Sequence, residues 1–167
     1  MPPRPVISNT SPLINLAGVG YLDLLRQLYT ELWIPELVLA EYEAKRGADE
    51  PDLSAIPWIA VRPIAPASSL QALGTLGAGE AAAITLAQAS NARLVILDDK
   101  RARRVARQVG LIVVGTLGVL LAAKQLDLLP AIKPALDALI AQERRISPWL
   151  YDEALRAAGE DAPEEAL

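Results

Sequence analysis

The chain contains no cysteine and no histidine among its 167 residues. Without cysteine there is no disulfide, no thiolate nucleophile and no zinc–thiolate site, a composition compatible with a reducing compartment. The missing histidine excludes more: Ser-His-Asp triads, imidazole acid–base pairs and the usual zinc sites disappear together. Chemistry must come from carboxylates, lysine, arginine, tyrosine or hydroxyls. Long apolar runs are also lacking. The longest, Leu111 to Ala123, includes Gly115, Thr116 and Gly118; it falls short of the ~20 residues of a membrane helix and reads as buried core. Met1-Pro2-Pro3-Arg4-Pro5 leads into only a short apolar stretch, so a cytoplasmic protein with no membrane partner is expected.

With 16 Lys and Arg against 20 Asp and Glu, the formal net charge is -4. Nothing in that balance advertises nucleic acid, so any basic patch must be local. The length suits one domain that hides roughly 70% of its unfolded surface. We read residues 1–158 as that domain and 159–167 as a frayed acidic tail.

Short β-branched runs alternate with helical patterns. Val6-Ile7-Ser8, Leu32-Trp33-Ile34, Trp58 to Val61, Leu94 to Leu97 and Ile112-Val113-Val114 read as strands. Helices are expected over Ser11 to Tyr29 with a break near Gly18-Val19-Gly20, over Pro35 to about Arg46, Ser68 to Leu73, Ala78 to Ser90, Lys100 to Val109 and Leu117 to Gln125. Two more follow, punctuated by Pro130 and Pro148. This alternation predicts an α/β fold with a parallel sheet of about five strands covered by helices on both faces. Ligands in such sheets sit beyond the carboxyl ends of the strands, where the strand order reverses.

Polar residues stand at two such ends: Asn9-Thr10-Ser11 after the first strand and Asp98-Asp99 after the fourth. Helix capping accounts for Ser11 or Asp99, taken singly, as well as catalysis does. Glu41 discriminates better, lying four residues after Leu37 and three after Val38 on the stripe expected to face the core. A carboxylate there is costly unless it is paired or ligates a cation. Glu80 precedes Ala83, Ile84 and Ala87 at core-facing spacing, although an acid in the first turn of a helix is favoured wherever it points. Glu41, Glu80 and Asp99 taken together form a ligand set for a hard ion such as Mg²⁺ or Mn²⁺ rather than zinc or copper. Such an ion can activate a water for in-line phosphoryl displacement.

Lys100, Arg103, Arg104 and Arg107 share one face of the following helix, opposite Ala102, Val105, Ala106 and Val109, with Arg101 nearby. Most such stripes are solvated surface. This one begins beside the acids, where it can hold phosphates by position.

At these residues the sequence resembles the PIN-domain nucleases, most closely a branch of bacterial and archaeal PIN proteins of unassigned function related to VapC-type toxins. The likeness runs through Val6 to Ile14, Ile34-Pro35-Glu36-Leu37-Val38 with Glu41, Leu76 to Ile84, Leu97 to Arg103 and Val114 to Gly118. It implies a three-layer α/β/α sandwich, Mg²⁺ or Mn²⁺ dependence and RNA cleavage. It also implies a homodimer and a toxin role with a cognate antitoxin. Carried over by motif, the metal-binding acids fall on Glu41, Glu80 and Asp99, with Asp98 adjacent, and Ser11 orients a ligand or water. Where the wider family has aspartate after strand one, this chain has Asn9, an oxygen donor without charge. The competing reading is therefore a catalytically weak PIN-fold module that binds RNA or protein. A phosphatase or phosphoacceptor would want its nucleophilic aspartate where Asn9 stands.

Overall fold

The computed structural model describes residues 4–64 and 74–160. Five parallel strands run through it: β1 (Val6–Ser8), β2 (Leu32–Pro35), β3 (Ile59–Arg62), β4 (Leu94–Ile96) and β5 (Val113–Val114). They lie in the order β3-β2-β1-β4-β5. The helices are α1 (Thr10–Gly18), α2 (Leu24–Tyr29), α3 (Glu36–Lys45), α4 (Ala78–Ala89), α5 (Lys100–Gln108), α6 (Thr116–Gln125), α7 (Lys133–Ala141) and α8 (Pro148–Ala157). A 3-10 turn at Leu53–Ala55 precedes β3. The short helix expected at Ser68 to Leu73 overlaps residues outside those described.

Strand order reverses between β1 and β4, where Val6, Ile7 and Ser8 pair with Leu94, Val95 and Ile96. One further bond, from the Asn9 N–H to the Ile96 carbonyl at 3.1 Å, carries the ladder past the end of β1. The pleat sends alternate residues to opposite faces. Val6, Leu32, Ile34 and Ile96 join a core with α1, α2, α3, α6, α7 and α8, while Ile7, Val95 and Leu97 join a second core with α4 and α5. The expected three-layer α/β/α sandwich around five parallel strands is the observed architecture.

Several local expectations are corrected. Leu37 is exposed, and the buried stripe of α3 consists of Val38 and Tyr42. Pro35 closes β2 and caps α3 at once, so no loop separates the two and the first helical turn overhangs the sheet. Val109 is exposed because α5 has already ended at Gln108, and Gly110, at φ +84°, turns the chain away. Ile112, in the run read as buried core, is exposed and precedes rather than begins β5. Glu160, in the stretch read as tail, is docked: its carboxylate accepts from Lys124 Nζ (2.9 Å) and from the Ile132 (2.8 Å) and Lys133 (3.2 Å) N–H groups. It ties the chain after α8 to the end of α6 and the start of α7.

Small side chains set the spacing of α4. Ala81, Ala82, Ala83 and Ala87 are all buried, which lets this helix approach the sheet and α3 closely. Ala83→Leu is therefore expected to cost about 1–3 kcal/mol through overpacking. Urea denaturation should show a lower midpoint with an unchanged slope.

Candidate active site

The site forms where β1 and β4 end side by side. Asn9 stands at the N-cap of α1 with extended backbone, yet its side chain makes no capping bond. It is 3% exposed, and its Oδ1 has no hydrogen-bond partner among the described residues. A buried acceptor without a donor costs roughly 1–3 kcal/mol, so one left in place calls for a functional explanation. The next residue, Thr10, donates its hydroxyl to Glu41 Oε2 at 2.7 Å. Glu41 Oε1 accepts from the Gly79 N–H at 2.9 Å, one of the unpaired donors in the first turn of α4. One half-buried carboxylate thus joins α1, α3 and α4.

Glu80, beside Gly79, reaches back to the Gly77 N–H at 3.2 Å, as an acid at the third position of a helix does. Burial and the negative charge of Asp99 push its carboxyl above the usual range, against the Gly77 bond. Glu41 adds to the push, and Arg101 opposes it. Glu80 therefore lies in the field of carboxylates from two other elements. Asp99 caps α5 by accepting from the Ala102 N–H at 2.9 Å, so capping and a place in the acidic cluster coexist.

Asp98 plays a different part. Its Oδ1 accepts from the Thr116 N–H (2.7 Å), and its Oδ2 accepts from the Thr116 hydroxyl (2.6 Å) and Asn15 Nδ2 (2.9 Å). It caps α6 and ties it to α1. A Cβ at Gly115 would come within 2.9 Å of Asp98 Oδ1, so the absence of a side chain there lets the carboxylate reach the helix end.

The chain that carries these acids and the orphaned amide oxygen at the switch point of its parallel sheet matches a family described as DUF3368, a PIN domain, over residues 5–160. The chain belongs to the PIN-domain family. Among curated proteins none matches it. The PIN fold is a nuclease-type fold, and PIN nucleases typically use divalent metal ions. No helix among the described residues of this PIN domain is long and apolar enough to cross a membrane.

Glu41, Glu80, Asp99 and the Asn9 Oδ1 offer oxygens of the kind that such an ion takes. All are hard donors. Among the described residues no three acidic side chains are grouped so that they could hold one metal ion together. Each instead bonds a hydroxyl or backbone N–H.

The cations divide. Arg101 stands with the acids, its charge acting on Glu80 and its guanidinium donating to the Thr75 carbonyl. This departs from its expected place with the α5 row. Lys100, Arg103, Arg104 and Arg107 line a groove of about 630 Å³ that Leu150 of α8 closes. Ser11, exposed, lines a neighbouring cavity of about 490 Å³ together with Asp98 and Arg103. Sequence reading gave no contact to Thr10, Asn15 or Thr116, whose partners are long-range, and missed Arg144 and Arg145, which line the same cavity. The Arg-Arg doublet between two helical patterns was the one available signal.

Two outcomes follow. A Cβ at Gly79 would lie 2.4 Å from Glu41 Oε2. Gly79→Ala, which in an open helix would gain about 1 kcal/mol, is expected to lose roughly 1–3 kcal/mol in chemical denaturation. Glu80, with its folded pKa raised, costs stability as pH rises through its unfolded value of 4.5 and past its folded one. Glu80→Gln keeps the acceptor for Gly77 and should raise Tm at pH 7 in EDTA by about 1–3 °C. That gain should vanish below about pH 4.

Proposed function

We propose that the chain is a divalent-metal-dependent ribonuclease that hydrolyses RNA phosphodiesters with Mg²⁺ or Mn²⁺. The observation that carries the reading is that Glu80 is repelled by both Asp99 and Glu41 at the switch point of a PIN fold. Negative charge gathered this way is relieved by a cation, and Arg101 alone does not balance three acids. The orphaned Asn9 Oδ1 fits the same ion. When bound, the ion supplies an activated water and charge stabilisation at the phosphoryl oxygens.

The chain's own residues do the rest. Thr10 and Gly79 hold Glu41 in one orientation, the Ala102 N–H fixes Asp99, and Asp98 anchors the wall formed by α6. Lys100, Arg103, Arg104 and Arg107 hold the phosphates of the flanking nucleotides without reading bases. The toxin role, the cognate antitoxin and the homodimer rest on the family resemblance. On the apolar helices α6 and α7, Val119, Leu120, Ala123, Leu136 and Leu139 are buried in the core, while Ile140 is exposed. A second reading, an RNA-binding PIN module with little catalysis, is favoured by the neutral Asn9.

Cleavage of an RNA panel by purified protein in Mg²⁺ or Mn²⁺ decides between them. Wild type should cut, while EDTA and Glu80→Gln should each lower the rate by roughly 10²-fold or more. Equal cleavage by both proteins would sink the enzymatic reading. Metal uptake has its own measure, since an ion at 100 times its Kd adds about 2.7 kcal/mol, or roughly 5–10 °C in Tm for a domain of this size. Mn²⁺ should raise wild-type Tm by that order and the Glu80→Gln protein's by less. Asn9→Asp should tighten Mn²⁺ binding about tenfold in calorimetry, because added ligand charge raises affinity.

A further inference from the structure

The cavity beside the acids has features the α5 cation row does not explain. It is about 490 Å³, within the usual range for pockets that enclose a small organic ligand. Asp98, Ser11 and Asn15 line it on the side of the switch point, while Asp99, Glu80 and Glu41 do not. Its apolar wall is built by Val114, Leu117, Leu139, Ile146 and Leu150, a surface suited to a flat ring. Asn15 gives its amide nitrogen to Asp98 and Thr116, which leaves its carbonyl oxygen as an acceptor. Arg103, Arg144 and Arg145 come from two separate stretches of chain, and none is in an ion pair among the described residues. Arg103 and Leu150 also line the basic groove, so pocket and groove adjoin.

We infer that this cavity is a nucleotide subsite: it takes one unstacked ribonucleotide, its base against the apolar wall and its phosphate held by Arg144, Arg145 and Arg103. The inference rests on the ribonuclease reading and adds to it a separate pocket for one base, which a base still stacked in a duplex cannot enter without cost. Asp98 and Asp99 are consecutive, one lining the pocket and the other joining the acidic cluster. A nucleotide in the pocket therefore has its neighbouring phosphodiester within reach of Glu80 and Asp99. The α5 row then carries the strand onward.

The test is amide-shift mapping by NMR in EDTA, so that no metal bridges phosphate to the acids. Probes are the four 5′-ribonucleoside monophosphates and inorganic phosphate. At least one monophosphate should give saturable shifts at Gly115, Thr116, Gly118 and Ile146. Arg144→Ala with Arg145→Ala should weaken it roughly tenfold. Ile146→Trp, at a half-buried loop position, should fill the pocket and abolish binding while the fold, checked by Tm, is kept. Inorganic phosphate binding as tightly as every monophosphate would overturn the inference, as would shifts confined elsewhere, no shifts, or undiminished binding by both variants. Cleavage without nucleotide binding would remove the subsite alone. Nucleotide binding without cleavage or metal uptake would remove the ribonuclease reading alone.

Discussion

Glu41 makes a contact on which the layout of the site depends. Its two oxygens are occupied by donors from different elements, the Thr10 hydroxyl at the start of α1 and the Gly79 N–H at the start of α4. A half-buried carboxylate without such partners would be costly. With them it bridges the sheet's edge from one helical layer to the other. Because the donors belong to the first turns of both helices, the bridge also sets where β1 stops and where Glu80 begins. A side chain at position 79 would stand inside the bridge, which is why a glycine follows Ala78 in a helix otherwise rich in alanine.

Charge is sorted around that bridge. The sequence as a whole is acidic, yet the residues around the switch point separate into two fields. Glu80 is repelled by Asp99 and Glu41 on one side, tempered by Arg101. Arg103, Arg144, Arg145 and the rest of the α5 row lie along the pocket and groove. Asp98 and Asp99 mark the boundary, and the chain turns there so that two adjacent aspartates do unlike work. One is spent on the N-terminus of α6, and the other is shared between the N-terminus of α5 and the acidic cluster. An overall charge says little about such a surface, since a strand of phosphates feels the near field.

The sheet was legible in the sequence because strands buried on both faces are short apolar runs, and each of the five stands where such a run occurs. Glu41 and Glu80 were legible as acids on or beside apolar helical faces. The reason given for Glu41 was incomplete, since Leu37 is exposed and only Val38 marks the stripe. What periodicity could not show was pairing at a distance: Thr10 with Glu41 across 31 positions, and Asp98 with Thr116 across 18. Arginines 144 and 145 stayed hidden for a different reason. They lie between α7 and α8, where no helical spacing marks a face, and only the docking of α8 against the groove gives them a role.

The neutral residue after β1 fits this electrostatic arrangement. An aspartate at position 9 would add a fourth negative charge to a site where Glu80 already feels two neighbours and where burial leaves little water to screen it. Asparagine keeps an oxygen in place without that repulsion. The cost moves elsewhere, into a buried Oδ1 with no donor and into weaker attraction for a cation. Two quantities are therefore traded at one position: the stability of the fold without an ion, and the affinity for the ion. With Asn9 the balance lies toward the stability of the fold without an ion. An ion held there, as proposed, would relieve two strains together, the repulsion on Glu80 and the unmet acceptor of Asn9.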